Sequence, residues 1–418
     1  MPTVLARIHR GSSEVGGSCV ELEADGSRLV LDIGLPLSAK SGENIVLPPI
    51  IGLTDGDRSL VGVVLSHAHP DHYGLVGGVD ESVPIYAGSA TARILREAAF
   101  FTRSGADLRL AGELKDRRPL HLGPFTVTPY LVDHSAFDAY ALLVEAGGRK
   151  LFYSGDIRFH GRKAQTVERL LASPPEGVHV LLMEGTKVGS SSTARYARSE
   201  KDVEEGVYRF FSETDGIALC MFSPQNVDRL VSLFKAAKRA DRTFVYDLYA
   251  ASVARATQRP KTIPQPEWPE VRIYVPNAQR VKVKETGEFD RVNEIRDARI
   301  FPDELAREPA QFALLYRASM GPELERAGCL EGARALWSQW EGYLAEPSGK
   351  RAKEWLDVRE IPLEVIHTSG HATVADLRRL ADAFADARLV PIHTDHPEQF
   401  AAEFGRAEPH DDGEWWPV

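Results

Sequence analysis

Short apolar or alternating runs, separated by turns rich in glycine and aspartate, make up residues 1–185 of the chain. This pattern is typical of β-strands joined by tight turns, with helices where apolar positions recur every three or four residues. It predicts strands over Thr3–His9, Cys19–Glu23, Arg28–Asp32, Leu60–Ser66, Phe125–Val132, Ala141–Glu145, Lys150–Ser154 and Val178–Met183, and helices over Thr91–Thr102 and Lys163–Ala172. The region therefore has the elements of a layered α/β fold.

The pattern changes near Lys187, where longer helical runs alternate with buried strands. We predict helices over Glu200–Phe211 and Gln225–Arg239, strands over Gly216–Phe222 and Thr243–Tyr246, a helical region near Leu330–Leu344 and a turn over 346–353. Later elements are predicted at Glu364–His367, Thr373–Ala385, Arg388–Ile392 and Pro397–Phe404. The simplest account is a second α/β domain inserted into the first, which divides the chain into 1–186, 187–364 and 365–418.

A globular composition accompanies this pattern, since 43% of the 418 residues are apolar and 26% are charged. The three cysteines, Cys19, Cys220 and Cys329, are too scattered to suggest a disulfide framework or a cysteine-ligated zinc site. No apolar run approaches the roughly 20 residues that a membrane span requires, and the N-terminus lacks a signal-peptide pattern. We therefore expect a cytoplasmic protein with no membrane partner.

The segment HAHPDH at residues 67–72 concentrates four side chains that bind divalent metals. Imidazole and carboxylate are the ligands expected of zinc and related ions. Alternate residues of an extended segment point the same way, so His67 and His69 are predicted to face one metal. A following turn directs Asp71 and His72 toward a second. A surface cluster of histidines is the alternative, and the spacing argues against it.

Three further candidate ligands stand where apolar strands meet turns of small residues. They are His134 in LVDHS, Asp156 in YSGD and His393 in VPIHT. A single histidine at a strand end is more often structural than a ligand. Together with the HAHPDH segment, however, the order and setting of the three form a recognisable pattern.

This series, preceded by LDIG at residues 31–34, resembles the metallo-β-lactamase superfamily along residues 1–185 and 367–400. The resemblance implies an αββα sandwich with two divalent metal ions at one edge, between the sheets. It also implies a ligand for each position that matches: His67, His69 and His134 for one metal, Asp71, His72 and His393 for the other, and Asp156 between them. Asp32 would orient the residues that bind the metals without binding a metal itself. The alternative is that Asp32 is only a turn residue at the end of a strand.

Four segments narrow the resemblance to the β-CASP nucleases, the group that includes ribonuclease J and the pre-mRNA 3′-end endonuclease. They are GSSEVGGSCVELEADGSRLVLDIG (11–34), MEGT (183–186), HTSGHA (367–372) and PIHT (391–394). In that group an α/β β-CASP domain is inserted between the second and third of these segments, where the pattern of this chain changes. The resemblance implies a two-metal phosphodiesterase, and a histidine at position 393 favours RNA over DNA as its substrate.

The resemblance also implies catalytic roles. Asp71 or Asp156 would orient or deprotonate the water that the metals activate. His371 would protonate the departing 3′ oxygen, and Glu184 would keep that imidazole cationic. Zinc is the expected metal, with manganese as the alternative.

Phosphate contacts are predicted at two turns. FSPQNVDRL (222–230) resembles a phosphate-contacting segment of ribonuclease J, which makes Ser223, Asn226 and Arg229 candidates. A plain helix cap with an exposed helical arginine explains the same residues equally well. Ser369 precedes a predicted helix and is a candidate for binding phosphate at its N-terminus, with an ordinary capping turn as the alternative.

The net charge of −10 does not favour a nucleic-acid partner, because phosphate binding requires basic surface. Residues 186–366 carry 28 basic and 28 acidic residues, so the flanks contain the whole deficit. We expect single-stranded RNA as the partner, cut internally or from a 5′ end, at modest and salt-sensitive affinity. The alternatives are a DNA-directed β-CASP nuclease, a hydrolase of small esters, lactones or thioesters, and a non-catalytic RNA-binding subunit. The oligomeric state stays open.

Overall fold

The computed structural model describes residues 4–39, 43–102, 105–189 and 198–418. The chain forms two compact units: the first consists of Met1–Ala99, Ser104–Ala194 and Gly370–Val418, and the second of Phe100–Arg103 and Arg195–Ser369. The second unit therefore interrupts the first in sequence. The predicted domain boundaries, after residues 186 and 364, stay a prediction.

Two sheets form the centre of the first unit. One contains β1 (Leu5–Arg10), β2 (Cys19–Ala24), β3 (Ser27–Leu31), β4 (Leu60–Val64), β5 (Ile85–Gly88), β6 (Leu110–Leu114) and β20 (Trp416–Pro417), in the order β20-β1-β2-β3-β4-β5-β6. The other contains β7 (Leu120–Leu122), β8 (Phe125–Leu131), β9 (Tyr140–Ala146), β10 (Arg149–Tyr153), β11 (Val180–Glu184) and β19 (Arg388–Ile392), in the order β19-β11-β10-β9-β8-β7. The helices that begin in this unit are α1 (Pro70–Tyr73), α2 (Ser89–Phe101), α3 (Ala164–Ala172), α12 (Val374–Ala383) and α13 (Phe400–Phe404).

Strand β9 illustrates how the layers are held together. Its residues alternate between two apolar cores, because successive side chains of a strand point to opposite faces. Leu142 and Val144 pack with residues of the other sheet, whereas Ala141 and Leu143 pack on the side of α3 and α12. The first sheet similarly buries one face against residues of α2. The first unit is thus an α/β sandwich of helix, sheet, sheet and helix, as expected.

Four strands of the second sheet of this unit end at the same edge. Strands β8 and β10 both pair antiparallel with β9, and β11 pairs parallel with β10 and with β19. Strands β8, β10, β11 and β19 therefore run in one direction. Whatever follows their carboxyl ends is brought together at one edge of the sheet.

The second unit is built on a parallel sheet. Its strands are β12 (Ala218–Met221), β13 (Thr243–Asp247), β14 (Val271–Tyr274), β15 (Arg299–Ile300), β16 (Phe312–Leu315), β17 (Arg334–Trp337) and β18 (Leu363–Val365), in the order β15-β14-β13-β16-β12-β17-β18. Its helices are α4 (Glu200–Ser212), α5 (Val227–Arg239), α6 (Leu248–Ala256), α7 (Asn277–Thr286), α8 (Asp290–Asn293), α9 (Pro302–Arg307), α10 (Gly321–Ala327) and α11 (Pro347–Asp357). The central strands β12 and β16 are short, apolar and buried, as is typical of parallel sheets covered on both faces.

Two predictions in the second unit were wrong. The region near Leu330–Leu344 is not an α-helix: Arg334–Trp337 is strand β17, paired with β12 and β18, and only a short 3-10 helix over Glu341–Ala345 follows it. Short apolar runs of this kind suit a buried strand or a helix equally well, and here sheet pairing decides. The predicted turn over 346–353 instead begins helix α11, whose first residue is Pro347. Proline is favoured at that position because its fixed φ suits the first helical turn.

The C-terminal residues complete the edge of the first sheet, where β20 pairs antiparallel with β1. Trp416 is almost fully buried there, and the Arg7 guanidinium lies 4.3 Å from the centre of the Trp415 ring. Among the described residues, none of the helices combines the length and the apolar character needed to cross a bilayer.

Candidate metal centre

The HAHPDH segment follows strand β4 and changes conformation in its middle. The backbone of His69 is extended, with φ −100° and ψ 142°, and helix α1 starts at the next residue, Pro70. His67 and His69 therefore lie on the extended part, whereas Asp71 and His72 lie on the helical turn. This break directs the two pairs of side chains to two different groups of potential ligands.

The first group contains three imidazoles and one carboxylate: His67, His69, His134 and Asp156. His69 Nδ1 lies 3.2 Å from His67 Nε2 and 3.0 Å from His134 Nε2. Asp156 Oδ2 lies 3.8 Å from both of those Nε2 atoms. A tetrahedral zinc ion with Zn–N distances of about 2.0–2.1 Å separates neighbouring ligand atoms by about 3.3 Å. The spacing of these nitrogens therefore fits ligands around one small cation.

The second group contains two carboxylates and two imidazoles: Asp71, His72, Asp156 and His393. Asp156 Oδ2 lies 3.3 Å from His72 Nε2, and Asp71 Oδ2 lies 3.8 Å from His393 Nε2. In each group the potential ligand atoms all lie within 4.8 Å of one another. Asp156 belongs to both groups, so the two are joined through one carboxylate.

The protonation of the first group suits metal binding. Burial and the neighbouring imidazoles hold the pKa of His67 well below its usual value, and burial lowers the pKa of His69 to about 4. Burial, with the nearby His69 ring, likewise holds the pKa of His134 well below the usual range. These rings are therefore neutral near pH 7, which is the form that binds a metal.

Several buried polar atoms of the second group have no hydrogen-bond partner among the described residues. They are His72 Nε2, His393 Nε2 and Asp156 Oδ1. A buried polar atom without such a partner costs about 1–3 kcal/mol, and a cation between these atoms would satisfy all three. The donor set therefore fits divalent metal ions.

Asp32 lies behind the HAHPDH segment and contacts one of its imidazoles. Its Oδ2 lies 2.8 Å from His72 Nδ1, and the carboxylate accepts hydrogen bonds from the backbone and hydroxyl of Ser66 and from the Tyr153 hydroxyl. On the other side, Ser18 Oγ lies 2.9 Å from His393 Nδ1. These contacts fix the ring orientation of both histidines, and ligating histidines are commonly held in this way.

His371 and Glu184 lie beside Asp156. The Nδ1 atom of His371 is 3.4 Å from Glu184 Oε1, 3.7 Å from Asp156 Oδ2 and 3.1 Å from Thr186 Oγ1. Burial disfavours charge on the imidazole, but Glu184 and Asp156 outweigh it and raise the pKa of His371 to about 9. The side chain is 21% exposed, so this imidazole is within reach of solvent.

The loops that carry His134 and Asp156 are tied to each other by a buried ion pair. Asp133 Oδ1 lies 3.3 Å from Arg158 Nε, and both side chains are fully buried. Lys163 Nζ donates to the backbone carbonyls of three residues in the loop that carries His134. These bonds keep the two loops in register at the edge of the sheet.

The residues predicted to bind phosphate divide into two kinds. Ser223 is exposed and Ser369 is partly exposed, so both remain candidates. Arg229 is corrected, because its guanidinium is buried and bonded within the fold, whereas a phosphate contact by Asn226 stays a prediction. Asn226 Oδ1 caps helix α5 by accepting from the Arg229 backbone N–H at 3.0 Å. The Arg229 side chain is fully buried, and its guanidinium donates to Glu200 and to Ser338.

Sequence reasoning missed the residues that hold the candidate ligands in place. They are Ser18, Ser66, Tyr153 and Thr186, of which Ser18, Tyr153 and Thr186 lie inside segments that were singled out for other residues. Ser66 and Tyr153 directly precede the HAHPDH and SGD segments, and Thr186 follows Glu184 by two residues, so proximity to a predicted ligand was the available signal. Ser18 lies in the segment 11–34, but nothing there indicated its contact, because its partner His393 is 375 positions away.

Residues 31–194 match the family model described as a β-lactamase superfamily domain. A curated relative named ribonuclease J from Sinorhizobium meliloti (strain Sm2011) is 27% identical over 51% of this chain and 39% of its own length. Ribonuclease J of Mycoplasma genitalium is 21% identical over 92% of this chain and 66% of its own length. The chain thus spans less than two thirds of either relative.

One solved structure shares the fold along the whole chain. It is the crystal structure of a protein of unknown function from Enterococcus faecalis V583, which is 21% identical, with a TM-score of 0.78 over 100% of both chains.

Proposed function

We propose, from the premise that the chain belongs to the metallo-β-lactamase superfamily and resembles its β-CASP branch, that it is a two-metal ribonuclease. Its reaction would be hydrolysis of single-stranded RNA, internally or from a 5′ end, which leaves 3′-hydroxyl and 5′-phosphate ends. Zinc is the proposed metal, with manganese as the alternative.

One observation carries the proposal: seven histidine and aspartate side chains from separate strand ends converge in two groups that share Asp156. His67, His69 and His134 would hold one ion with Asp156, and Asp71, His72 and His393 would hold the other. Neighbouring divalent ions supply the activation of a water nucleophile and the neutralisation of charge on the phosphate. No single motif of the chain provides that combination.

The carboxylates of Asp71 and Asp156 would act on the water that attacks the phosphorus. Asp71 is 14% exposed and Asp156 is buried, so Asp71 is the more accessible to a substrate water. Either carboxylate would orient the water and take up its proton as the new oxygen–phosphorus bond forms.

His371 has the role on the leaving side. Its Nδ1 is directed at Glu184 and Thr186, which orient the ring and favour the imidazolium. The imidazolium would donate a proton to the 3′ oxygen as the phosphorus–oxygen bond breaks, which gives a neutral hydroxyl as the leaving group. Glu184 acts through His371 rather than on the substrate.

RNA is the proposed substrate on two grounds. The curated relatives that align with 92% of this chain are named ribonuclease J. The candidate ligand in the segment PIHT (391–394) is His393, and in the β-CASP nucleases that the chain resembles a histidine at this position favours RNA over DNA as the substrate. The relatives are longer than this chain, so their activity supports the proposal without deciding it.

The test is cleavage of labelled single-stranded RNA and DNA of one sequence, each with a 5′-phosphate or a 5′-hydroxyl, by zinc- or manganese-loaded protein. We expect RNA to be cut and DNA to be cut much more slowly. His371→Ala should reduce the rate by about 10²–10⁴-fold, the usual contribution of a general acid, without reducing the bound metal. His121→Ala is the matched control, because His121 is exposed on β7.

Two results would contradict the proposal. Equal rates for wild type and His371→Ala would remove the leaving-group role. Turnover of small esters or lactones with no cleavage of RNA would replace the nuclease by a small-molecule hydrolase.

A further inference from the structure

The carboxyl edge of the sheet in the second unit contains a topological switch point. Strand β13 is followed by β14 on one side, whereas its neighbour β16 is followed by β17 on the other side. In open parallel sheets, ligands bind outside the carboxyl ends of the strands at such a point. Asp247 is the last residue of β13, and Arg317 lies two residues after the end of β16. The pair therefore stands on the two sides of the switch point.

Arg317 is held there by a buried carboxylate. The Arg317 Nε donates to Asp247 Oδ2, and the guanidinium carbon lies 5.4 Å from the centre of the Tyr249 ring. Asp247 is fully buried, and its oxygens also accept from the Ala250 backbone N–H and from Gln279 Nε2, each at 2.8 Å. Because two further donors fix this carboxylate, it holds the guanidinium in one orientation at the edge of the sheet.

Within the described residues, the guanidinium donates hydrogen bonds through Nε alone. Arg317 Nη2 has no hydrogen-bond partner there, although the atom is buried. The side chain as a whole is 32% exposed, so another part of it faces solvent. An oriented arginine with unused donors is a common anion-binding group, since its planar fork matches the oxygens of a phosphate.

Two groups that can bind an anion follow the neighbouring strand, β12, and lie on the same edge of the sheet as Arg317. Strands β12 and β16 are paired with Cys220 opposite Leu315, and the Tyr316 N–H donates to the Cys220 carbonyl. Ser223 therefore follows β12 at about the level where Arg317 follows β16, and it is exposed. Helix α5 begins just beyond, at Val227, with its positive end at this edge of the sheet.

We propose that Arg317, together with Ser223 and the N-terminal end of α5, binds a phosphodiester group of single-stranded RNA. Arg317 thereby takes the role that the sequence suggested for Arg229. The identity of the ligand as RNA rests on the proposed function, whereas the phosphate-binding chemistry rests on the second unit alone.

The test is binding of a fluorescent single-stranded RNA to the full chain in chelator, where no cleavage occurs, over a series of salt concentrations. Arg317→Gln should weaken binding by about tenfold, the effect of losing one hydrogen bond to a charged group. It should also reduce the slope of log affinity against log salt by about 0.7, the value for one phosphate contact of a single strand. Arg334→Gln is the matched control: Arg334 is 26% exposed, is paired with Glu364 and lies at the amino end of β17.

The outcomes separate the two proposals. If RNA is cleaved but Arg317→Gln binds like wild type, or only melts at a lower temperature, the arginine serves the fold and the phosphate site is refuted. If no RNA is cleaved under any condition but Arg317→Gln alone weakens RNA binding, the phosphate site stands and the nuclease proposal fails. Equal losses in Arg317→Gln and Arg334→Gln would also refute the site, because they would reflect net charge.

Discussion

Replacement of Arg229 by methionine is expected to destabilise the second unit strongly. The Arg229 side chain is fully buried and lies 3.0 Å from Glu200, which is itself 1% exposed. Arg229 also donates to Ser338 Oγ at 2.8 Å, which ties helix α5 to the end of β17. Removal of one member of a buried ion pair typically costs about 3–5 kcal/mol. Methionine keeps much of the volume, so the loss would come from the charge and the hydrogen bonds.

The matched control for this replacement is Arg239, which lies on the same helix, α5. Arg239 is ten residues further along the same helix and pairs with Glu205 at 2.9 Å, but these side chains are 43% and 53% exposed. A pair in water contributes about 0–1 kcal/mol, because solvent screens it. Arg239→Met therefore removes the same chemical group from the same helix with little expected effect.

Thermal unfolding followed by circular dichroism compares the two variants. For a unit of this size a loss of 3 kcal/mol lowers Tm by about 6–12 °C, and a loss below 1 kcal/mol lowers it by less than about 4 °C. Similar shifts for both variants would refute the structural role of Arg229. An Arg229→Met variant with native Tm and weakened RNA binding would restore the phosphate-binding role that the sequence suggested.

Three further changes test the first unit. Asp32→Ala should weaken metal binding by about 10–100-fold in a competition titration, because it removes the group that orients a ligating imidazole; unchanged affinity would reduce Asp32 to a turn residue. Burial opposes ionisation of Glu21, but hydrogen bonds from a histidine and two arginines hold its pKa below the ordinary 4.5. Its contribution to stability is therefore complete above pH 4.5 and is lost as the pH falls below it, so Glu21→Gln should flatten the acid side of a Tm profile. Gly34→Ala should disrupt the site and lower Tm, because a Cβ would lie 1.8 Å from the Asp71 carbonyl oxygen, whereas Gly77→Ala meets nothing within 4 Å and should be neutral.

The chemistry of the site was predictable where it was local in sequence. HAHPDH brings four metal-binding side chains into six residues, and the change from extended to helical backbone follows from Pro70. The other candidate ligands, such as His134 and Asp156, were predictable as strand-end residues and through resemblance. Their convergence followed only from the resemblance and not from the residue pattern, because it depends on four strands of one sheet that run in the same direction.

Arg229 and Arg317, both in the second unit, show where the periodicity of the sequence fails to predict the surroundings of a side chain. Arg229 belongs to an amphipathic pattern that suggested an exposed helical position, but the packing of α4 on α5 buries it. Arg317 has no pattern around it, and its partner Asp247 is 70 residues away in sequence. Burial of a charged side chain is decided by which partner the fold brings to it, and a single sequence does not show that partner.

The backbone at the candidate metal centre indicates that the fold, more than an ion, sets the positions of the candidate ligands. Asp32 and His393 have φ values of 57° and 53°, a region that costs non-glycine residues about 1–3 kcal/mol. Sheet-like bonds hold both in place, since the Asp32 N–H donates to the Val64 carbonyl at 3.0 Å and the His393 N–H donates to the Gly11 carbonyl at 2.6 Å. Such strain persists only where the surrounding structure imposes it. Chelation should therefore leave the first unit folded, with native circular dichroism and rapid recovery of metal binding; an unfolded metal-free protein, as in small zinc domains, would show that the ions build the site.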